Sequence, residues 1–411
     1  MVAPKLRFKE FNGDWTNKKI GDIAAKVGSG STPRGGAEAY TDTGIIFIRS
    51  QNVNNDRLLL DDTVYIPEST HLKMSGSKVV ANDILLNITG ASIGRSCVVP
   101  SDFTEANVNQ HVCIIRTPND DPVFVQSFLS SENGQNSIQS KQAGGGREGL
   151  NFQAIRSIDF HFPPSKEEQT KIASFLSAVD EKISQLTQKH QLLSQYKQGM
   201  MQKLFSQQIR FKSDDGSEFG EWEETILSDI VNLFHGYQFR TSDFTSKGIA
   251  VIKIGNVIGN NLDLANLTYI NEKRLEDFKK FEILNGDILM SLTGNIGRII
   301  EVKNKPFILL QNYRVGKFIP LNENFLIKPF LKYLLTSDLV FGRFSQLANQ
   351  SAQANFGKQD MDKITVFYPS VSEQTKIANF LSAIDQKIEV VAQQIEQAKL
   401  WKKGLLQQMF V

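Results

Sequence analysis

Two stretches of the chain carry apolar residues at alternating steps of four and three. The first series starts at Ile172 and continues through Leu176, Val179, Ile183, Leu186, His190, Leu193, Lys197, Met200 and Leu204. The second starts at Ile377 and continues through Leu381, Ile384, Ile388, Val391, Ile395, Ala398, Lys402, Leu405 and Met409. This spacing, held over about four heptads, predicts two long helices, each with an apolar stripe that needs a partner. The obvious partner for each stripe is the other helix.

Both predicted helices have a defined start. Ser165 and Ser370 each precede a glutamate by three residues, Glu168 and Glu373, which is the spacing of a capping box. Prolines lie just upstream of both serines, where they disfavour helix for the residue ahead of them. We therefore expect the helices to begin at these two serines.

One lysine interrupts each apolar stripe at the same point, Lys197 in the first and Lys402 in the second. We interpret both as residues that lay their methylene stems along the seam and extend the amine into water. The alternative is that they set the register of the helix pair or meet a partner subunit.

The segments ahead of the helices have a different pattern. Short runs rich in Ile, Val, Phe and Thr, such as Ile45–Ile48, Val79–Val80, Val112–Ile115 and Ile249–Ile254, are separated by Gly, Asn, Asp and Pro. This pattern predicts strands joined by turns. Each segment is therefore expected to be a strand-rich α+β head attached to a helix.

The chain is one module written twice. Residues 168–183, EQTKIASFLSAVDEKI, return as EQTKIANFLSAIDQKI at 373–388 with three conservative differences. Four further pairs keep the same order: LRFK at 6–9 with IRFK at 209–212, GDWTNKKIGDI at 13–23 with GEWEETILSDI at 220–230, DILLNITGASIGR at 83–95 with DILMSLTGNIGR at 287–298, and KQGMMQKLF at 197–205 with KKGLLQQMF at 402–410. A long internal repeat of this kind predicts two structurally equivalent halves.

The two copies have diverged unevenly. Residues 24–80 and 231–285 match poorly, whereas the EQTKIA segments are almost identical. This contrast indicates a shared framework role for the helices and separate specificities for the heads. Duplication followed by drift, with the helices constrained only by their own packing, remains the alternative.

Composition fits two ordinary domains. The chain has 411 residues, 40% of them hydrophobic and 22% charged, and a formal net charge of +2. Residues 1–165 hold 16 Lys/Arg and 17 Asp/Glu, so any surface that binds nucleic acid must be a local patch. Two cysteines, no apolar leader and no uncharged run long enough for a membrane helix lead us to expect a cytoplasmic protein.

No catalytic constellation is evident in the sequence. The glycine-rich GSGSTPRGG at 28–36 lacks phosphate-loop spacing, and Gly144-Gly145-Gly146-Arg147 is better interpreted as a loop. The five histidines stand apart, and no Gly-x-Ser-x-Gly elbow or Asn-Pro-Pro-Tyr motif occurs. If base methylation is involved, another chain performs it.

The heads do contain polar turns of the kind that read base edges, since Arg matches guanine and Asn or Gln matches adenine. The candidates in the first head are Arg34, Arg49, Gln51, Asn52, Thr89, Ser92, Arg95, Gln110, His111 and Arg147. Those in the second head are Gln238, Arg240, Lys253, Asn256, Thr293, Asn295, Arg298, Gln311, Asn312 and Arg314.

This doubled arrangement resembles the specificity subunits of type I restriction–modification systems along the entire chain. The residues that carry the resemblance are the leads Arg7-Phe8 to Trp15 and Arg210-Phe211 to Trp222, the turn Gly30-Ser31-Thr32-Pro33, the Asp-Ile-Leu segments at 83–95 and 287–298, the turns Asn109-Gln110-His111 and Gln311-Asn312-Tyr313, and the EQTKIA helices. One departure is that the second half lacks the Gly-x-Thr-Pro turn and has Phe234-His235-Gly236-Tyr237 there. The two heads are therefore expected to read different sequences.

The resemblance implies an α+β fold with two target recognition domains in tandem, separated by two long helices that form an antiparallel coiled coil. The implied division is residues 1–164 and 208–369 for the recognition domains, 165–207 for a central helical spacer and 370–411 for a C-terminal one. The implied function is non-catalytic recognition of a bipartite, asymmetric site in double-stranded DNA. Helix length would set the gap between the half-sites.

The resemblance also implies partners. Two methyltransferase subunits would bind the helical framework, hold S-adenosylmethionine and methylate adenine, and restriction subunits would use ATP and Mg²⁺. No cofactor or metal is expected on this chain. Two other classes remain open from the residues alone: a scaffold whose heads bind proteins, which predicts no DNA affinity, and an enzyme with an unrecognised site, which predicts activity from the isolated chain.

Overall fold

A computed structural model describes residues 2–33, 35–54, 56–142, 149–259, 261–294, 296–349 and 355–410. The chain forms two compact units, here named the first unit (residues 1–188 and 391–411) and the second unit (residues 189–390). Each unit therefore contains one strand-rich part and stretches of both long helices.

The first unit contains twelve strands within its described residues: β1 Thr16–Lys19, β2 Lys26–Ser29, β3 Ile45–Ile48, β4 Val53–Asn54, β5 Arg57–Leu58, β6 Val64–Ile66, β7 Lys78–Val79, β8 Ile84–Asn87, β9 Ser96–Val98, β10 Ala106–Val108, β11 Val112–Arg116 and β12 Asp159–Phe162. Its helices are α1 Ile20–Ile23, α2 Glu68–Lys73, α3 Pro122–Ser130, α4 Glu132–Ser140 and α5 Phe152–Arg156. The long α6, Lys166–Phe205, continues into the second unit.

The second unit repeats this order. Its strands are β13 Glu223–Ile226, β14 Val231–His235, β15 Phe244–Thr245, β16 Ile249–Ile252, β17 Val257–Ile258, β18 Asn261–Leu262, β19 Thr268–Ile270, β20 Glu282–Ile283, β21 Ile288–Ser291, β22 Ile299–Glu301, β23 Leu309–Gln311, β24 Val315–Pro320 and β25 Thr365–Tyr368. Its helices are α7 Leu227–Ile230, α8 Leu275–Phe278, α9 Lys328–Thr336, α10 Asp338–Asn349 and α11 Lys358–Met361. The last helix, α12 Val371–Met409, ends in the first unit.

The main sheets of the two units share one topology, except that β15 adds an edge strand in the second unit. In the first unit the main sheets run β6-β3-β10-β7 and β2-β11-β8-β9, and in the second they run β15-β19-β16-β23-β20 and β14-β24-β21-β22. Among the strands of the described residues, each unit has one parallel pair, β3 with β10 and β16 with β23. The chain passes from one sheet to the other at the turns 109–111 and 312–314. The strands predicted from the short apolar runs are confirmed.

Both long helices predicted from the four–three spacing are confirmed, and none of the twenty stripe positions is exposed. In the first unit the start of α6, at Ile172 and Leu176, shares a core with Leu405 and Met409 near the end of α12. In the second unit Leu204 at the end of α6 shares a core with Ile377, Leu381 and Ile384 near the start of α12. The helices therefore run antiparallel, as the resemblance implied.

The predicted capping boxes are only partly formed. The Ser165 hydroxyl accepts the backbone N–H of Glu168 at 3.3 Å, as a cap should. The Glu168 and Glu373 carboxylates bind arginines of the heads instead, Arg7 and Arg210.

Among the described residues, no helix combines the length and apolar character that crossing a bilayer requires.

Candidate nucleic-acid interface

Four loops meet at one end of the paired sheets in the first unit, and backbone hydrogen bonds fix them to one another. Gly30 N–H donates to the Asn109 carbonyl at 3.1 Å, and Asn109 N–H donates to the Ile48 carbonyl at 3.0 Å. Ile88 N–H donates to the His111 carbonyl at 3.0 Å. The turn at 109–111 therefore holds the other three loops, which follow β2, β3 and β8. We call this end the loop end of the unit.

The second unit builds its loop end in the same way. Tyr237 N–H donates to the Gln311 carbonyl at 2.9 Å, and Asn312 N–H donates to the Ile252 carbonyl at 3.1 Å. The bond from Asn109 to Ile48 thus has its counterpart at Asn312. The sequence had matched Asn109-Gln110-His111 with Gln311-Asn312-Tyr313, and this alignment is wrong by one residue. The equivalent of His111 is Arg314.

A glycine is required where the first of these loops crosses the neighbouring strand. A Cβ on Gly30 would lie 1.6 Å from the Val108 carbonyl oxygen, and one on Gly236 would lie 2.2 Å from that of Gln311. No other residue fits such a close approach of backbones. The second unit lacks the Gly-x-Thr-Pro sequence but keeps the glycine, so the framework is conserved while the following side chains change.

Three of the predicted residues form a connected polar cluster at the first loop end. The Thr89 hydroxyl lies 2.6 Å from His111 Nδ1, and Gln110 Nε2 lies 3.1 Å from His111 Nε2. Thr32, two residues after the required glycine, donates its hydroxyl to the side-chain oxygen Oε1 of Gln110. These side chains are exposed or half-buried, so they can exchange internal partners for a ligand.

Arg49, Gln51 and Asn52 lie together in the second loop but differ in availability. Asn52 is 2% exposed, and its amide donates to the carbonyls of Leu59 and Asp62. Arg49 and Gln51 both face the exposed Asp62 carboxylate, with 3.5 Å between the Arg49 guanidinium and Asp62. The Asn52 amide holds the loop in shape, whereas the other two remain accessible.

The third loop carries Ser92 and Arg95. Ser92 is half-buried in a short turn, and Arg95 is exposed. Gln135 donates its amide to the carbonyls of Gly94 and Leu129, which braces the backbone next to Arg95. Arg95 therefore extends from a fixed position.

The exposed candidates in the second unit surround the equivalent loops. Gln238, Arg240, Arg298 and Arg314 are exposed. The Arg314 guanidinium lies 5.3 Å from the Tyr313 ring centroid, and Arg298 donates weakly to the Val257 carbonyl at 3.4 Å. Each of these side chains keeps most of its hydrogen-bonding capacity for a ligand.

Lys253 is half-buried against an aromatic ring. Its amine lies 3.9 Å from the Phe244 ring centroid, and burial lowers the pKa of the amine. Contact with the ring face retains favourable electrostatics for the charged form.

Three predicted residues of the second unit have side chains that bond within the fold, and a fourth has a buried hydroxyl. Asn256 repeats Asn52: it is 5% exposed and donates to the carbonyls of Asp263 and Asn266. Gln311 is fully buried and donates to two backbone carbonyls, and the Asn312 side chain accepts the Arg314 N–H. Thr293 is half-buried, with its hydroxyl inside the protein. Arg34, Arg147 and Asn295 lie outside the described residues.

An ion pair joins the first strand-rich part to the start of α6. The Arg7 guanidinium donates to both Glu168 carboxylate oxygens, at 2.7 and 2.8 Å, and the Trp15 indole N–H donates to the same carboxylate at 3.2 Å. Glu168 is 1% exposed. The pKa of Arg7 is raised, chiefly by its hydrogen bond to Glu168. Arg210 and Glu373 repeat this pair in the second unit.

The stripe lysines are paired with aspartates, so the snorkelling interpretation is wrong. Lys402 lies 2.7 Å from Asp180 and 2.8 Å from Asp56, and in the second unit Lys197 lies 2.6 Å from Asp385. Each lysine thus meets an aspartate on the other long helix, at equivalent positions of the repeat. We infer that these half-buried charge pairs help to set the register of the two helices.

Sequence reasoning missed Tyr237, an exposed aromatic residue at the second loop end. The available signal was its place directly after Gly236, where the first copy has small polar residues.

No cluster of three or more His, Cys, Asp or Glu able to hold a metal ion occurs within the described ranges.

The sequence profile of the family described as "Type I restriction modification DNA specificity domain" matches residues 12–195 and again residues 220–400. The chain therefore belongs to this family, the DNA-specificity subunits of type I restriction–modification systems. Members of this class recognise a DNA sequence for the complex and are not its catalytic components.

Individual relatives agree along the chain. The type I restriction enzyme MjaVIII specificity subunit of Methanocaldococcus jannaschii is 28% identical over 356 residues, covering 82% of this chain and 81% of that protein. The crystal structure of the type I S subunit from M. genitalium matches with a TM-score of 0.62 at 17% identity, covering 100% of this chain and 99% of that one. A chain from a study of complex assembly and conformational transition in a type I system matches with a TM-score of 0.56 at 13% identity, covering 97% of this chain and 98% of that one. These structures share the fold.

Proposed function

We propose that the chain reads a bipartite, asymmetric DNA site, with one half-site read at each loop end. The observation that carries this proposal is the repeated framework with changed side chains. The glycine recurs in both units, and so do two backbone bonds: the one from Asn109 to Ile48 returns from Asn312 to Ile252, and the one from Ile88 to His111 returns from Leu292 to Arg314. Thr32 and His111 of the first unit are replaced in the second by other residues. One framework with two sets of polar groups suits two different half-sites.

The residues that we propose for base or phosphate contact are the exposed or half-buried ones at the loop ends. They are Arg49, Gln51, Thr89, Ser92, Arg95, Gln110 and His111 in the first unit, and Gln238, Arg240, Lys253, Arg298 and Arg314 in the second. Thr293, whose hydroxyl is buried, stays a sequence-based candidate. Asn52, Asn256, Gln311 and Asn312 are proposed to support these loops, because their side chains already bond within the protein. Arg34, Arg147 and Asn295 stay sequence-based candidates.

The division into residues 1–164, 165–207, 208–369 and 370–411 is proposed as two target recognition domains and two helical spacers. The spacers would bind two methyltransferase subunits, and the near-identity of 168–183 and 373–388 supports this idea. Part of that identity has an internal cause, since Glu168 and Glu373 hold the heads. Ala178 and Ala383 are repeated and exposed, and holding the heads does not explain their identity.

We further propose that the complex works in the cytoplasm and that its chemistry lies on the partners. The methyltransferase subunits would hold S-adenosylmethionine and methylate an adenine flipped out of the duplex. Restriction subunits would use ATP and Mg²⁺.

The test is single-molecule sequencing of methylated adenines in cells with and without this gene, with the methyltransferase partner expressed in both. Loss of methylation at one bipartite motif is expected when the gene is removed. An unchanged methylome would refute the proposal and favour a protein-binding scaffold.

A further inference from the structure

Tyr237 is the exposed aromatic residue at the second loop end. It follows Gly236 and keeps 37% of its surface exposed. Its N–H donates to the Gln311 carbonyl at 2.9 Å, and its carbonyl accepts the Tyr313 N–H at 3.0 Å. The backbone of Tyr237 is therefore fixed on both sides to the 312–314 turn.

Three phenylalanines support the Tyr237 ring. Its centroid lies 5.0 Å from that of Phe239, 4.7 Å from Phe278 and 5.5 Å from Phe281. These three residues are at most 8% exposed and belong to one small core. The ring is thus held in place before any ligand binds, which reduces the entropic cost of using it in recognition.

Positive charge surrounds this aromatic support. The Lys280 amine lies 4.9 Å from the Phe281 ring centroid, and Lys253 lies 3.9 Å from that of Phe244. Arg240 is exposed nearby in sequence, whereas the charge of Arg274 is balanced by Asp243 at 2.7 Å. An exposed aromatic residue with exposed Lys280 and Arg240 and half-buried Lys253 in its surroundings favours a polyanionic ligand with apolar groups, which describes DNA.

The first unit lacks this arrangement. The residues equivalent to Phe278 and Phe281 are Met74 and Ser77, and Ser77 accepts a hydrogen bond from Asn107 at 2.8 Å. Asn107 in turn contacts the buried His71 ring at 2.6 Å. The layer beneath the loop end is therefore polar in one unit and aromatic in the other.

We propose that Tyr237 recognises a thymine of the second half-site by apolar contact with its 5-methyl group. The proposal rests on the function proposed above. Contact with the thymine methyl is the readout open to an apolar side chain in the major groove. Wedging between base steps inserts an apolar side chain into the stack. Three rings pack against Tyr237 and leave the residue 37% exposed, so less of its ring is available for insertion.

The test uses the full chain assembled with its methyltransferase partner and duplexes that contain the recognised site. Each thymine of the second half-site is replaced singly by deoxyuridine, which removes only the methyl group. One replacement is expected to weaken binding by the wild-type complex about fourfold, the effect of losing one buried methyl. Y237A should bind the thymine and deoxyuridine duplexes equally, and Y237F should discriminate like the wild type.

Deoxyuridine in the first half-site is the internal control, since Y237A should leave any effect there unchanged. Three results would overturn the proposal: no deoxyuridine effect in the second half-site with the wild type, a full effect persisting in Y237A, or a second half-site without thymine. Equal losses in Y237A and Y237F would assign the contact to the hydroxyl and also overturn it. If the wild-type complex shows no sequence preference at all, the proposed function has failed independently of Tyr237.

Discussion

Arginines at equivalent places in the repeat offer a direct comparison between the two loop ends. Arg95 and Arg298 close the matched Asp-Ile-Leu segments, and both are exposed. We expect Arg95→Ala to weaken the first half-site and Arg298→Ala the second, each by about 1–3 kcal/mol, with relaxed preference at one base position. The measurement is the affinity of each variant for duplexes altered in one half-site.

The matched control is Asn52→Ala. Its amide donates to two backbone carbonyls inside the protein, so we expect a loss of about 1–3 kcal/mol in folding stability. Base preference should stay the same. If either arginine variant weakens both half-sites equally, the arginines serve the structure and do not read sequence.

For single residues, the sequence identified the polar side chains of the loops but not which of them are free to bind a ligand. Asn52 and Arg49 are both polar residues in a turn, but only the structure shows that the Asn52 amide is consumed by the loop. Gln311 and Asn312 were misaligned by one position because short polar turns have no periodicity. Tyr237 was missed because two of its three supporting phenylalanines, Phe278 and Phe281, come from a segment about forty residues further along the chain.

The two ion pairs between the long helices differ in which partners the aspartates keep when the lysine is removed. Lys402 faces two carboxylates, Asp56 and Asp180. Burial alone would lower the pKa of Lys402, but the two carboxylates outweigh it and raise the pKa. We expect Lys402→Met to cost about 2–4 kcal/mol in stability, because Asp56 and Asp180 lose the cation that they share and Asp56 keeps only neutral donors, Ser130 and Gln126.

Lys197→Met is the matched variant and should cost less, about 1 kcal/mol. Its partner Asp385 retains Lys332 at 3.1 Å and the Tyr333 hydroxyl at 2.8 Å. Hydrogen exchange measured at increasing denaturant concentrations would assign each loss of stability to its unit. Equal costs for the two variants would show that Asp56 adds nothing to the first network.

The Asp385 network also predicts a pH dependence. Burial would raise the Asp385 pKa, but Lys197, Lys332 and Tyr333 outweigh it and lower the pKa below its ordinary value. The ionised form therefore contributes stability that is fully present above about pH 4 and is lost as the pH falls through the lowered pKa.

Asp385→Asn should accordingly be less stable than the wild type by about 2 kcal/mol at pH 7, with a difference that shrinks below about pH 4. Urea unfolding at several pH values measures this difference. Asp362→Asn, at an exposed position of the same unit, should change stability by less than about 0.5 kcal/mol. A constant difference across the pH range would rule out this role for Asp385.

For the helices and strands, the periodicity of the sequence predicted where the main elements lie. The four–three steps identified α6 and α12, and the short apolar runs identified strands such as β3 and β11. The partners of Lys197 and Lys402 could not be predicted this way, because Asp180 and Asp385 lie beside the stripe and not on it. Pairing between helices depends on their register, which periodicity does not specify.

For the whole molecule, the repeat predicted two equivalent halves, and the fold bears this out. The division of the chain into two compact units is less evident from the sequence. Each unit contains the start of one long helix and the end of the other. A stretch of α6 and a stretch of α12 connect the charge pairs of the two units. Asp180 and Lys197 lie seventeen residues apart on α6, as do Asp385 and Lys402 on α12.

Those stretches provide the test of the proposed spacer. Seven residues inserted after Leu193 and seven after Ala398 keep the heptad phase and leave all four charged residues in their pairs. Each helix grows by about 10 Å, or about three base pairs of DNA at roughly 3.4 Å each. We expect the methylated motif to keep both half-sites while its gap widens by about three base pairs.

An insertion in α6 alone is the control, because it forces one helix out of register with its partner and should abolish methylation. Sequencing of methylated adenines reads both outcomes in the same cells. A doubly inserted chain that methylates the original motif with its original gap would show that helix length does not set the spacing. The register fixed by Lys197 and Lys402 would then serve stability alone.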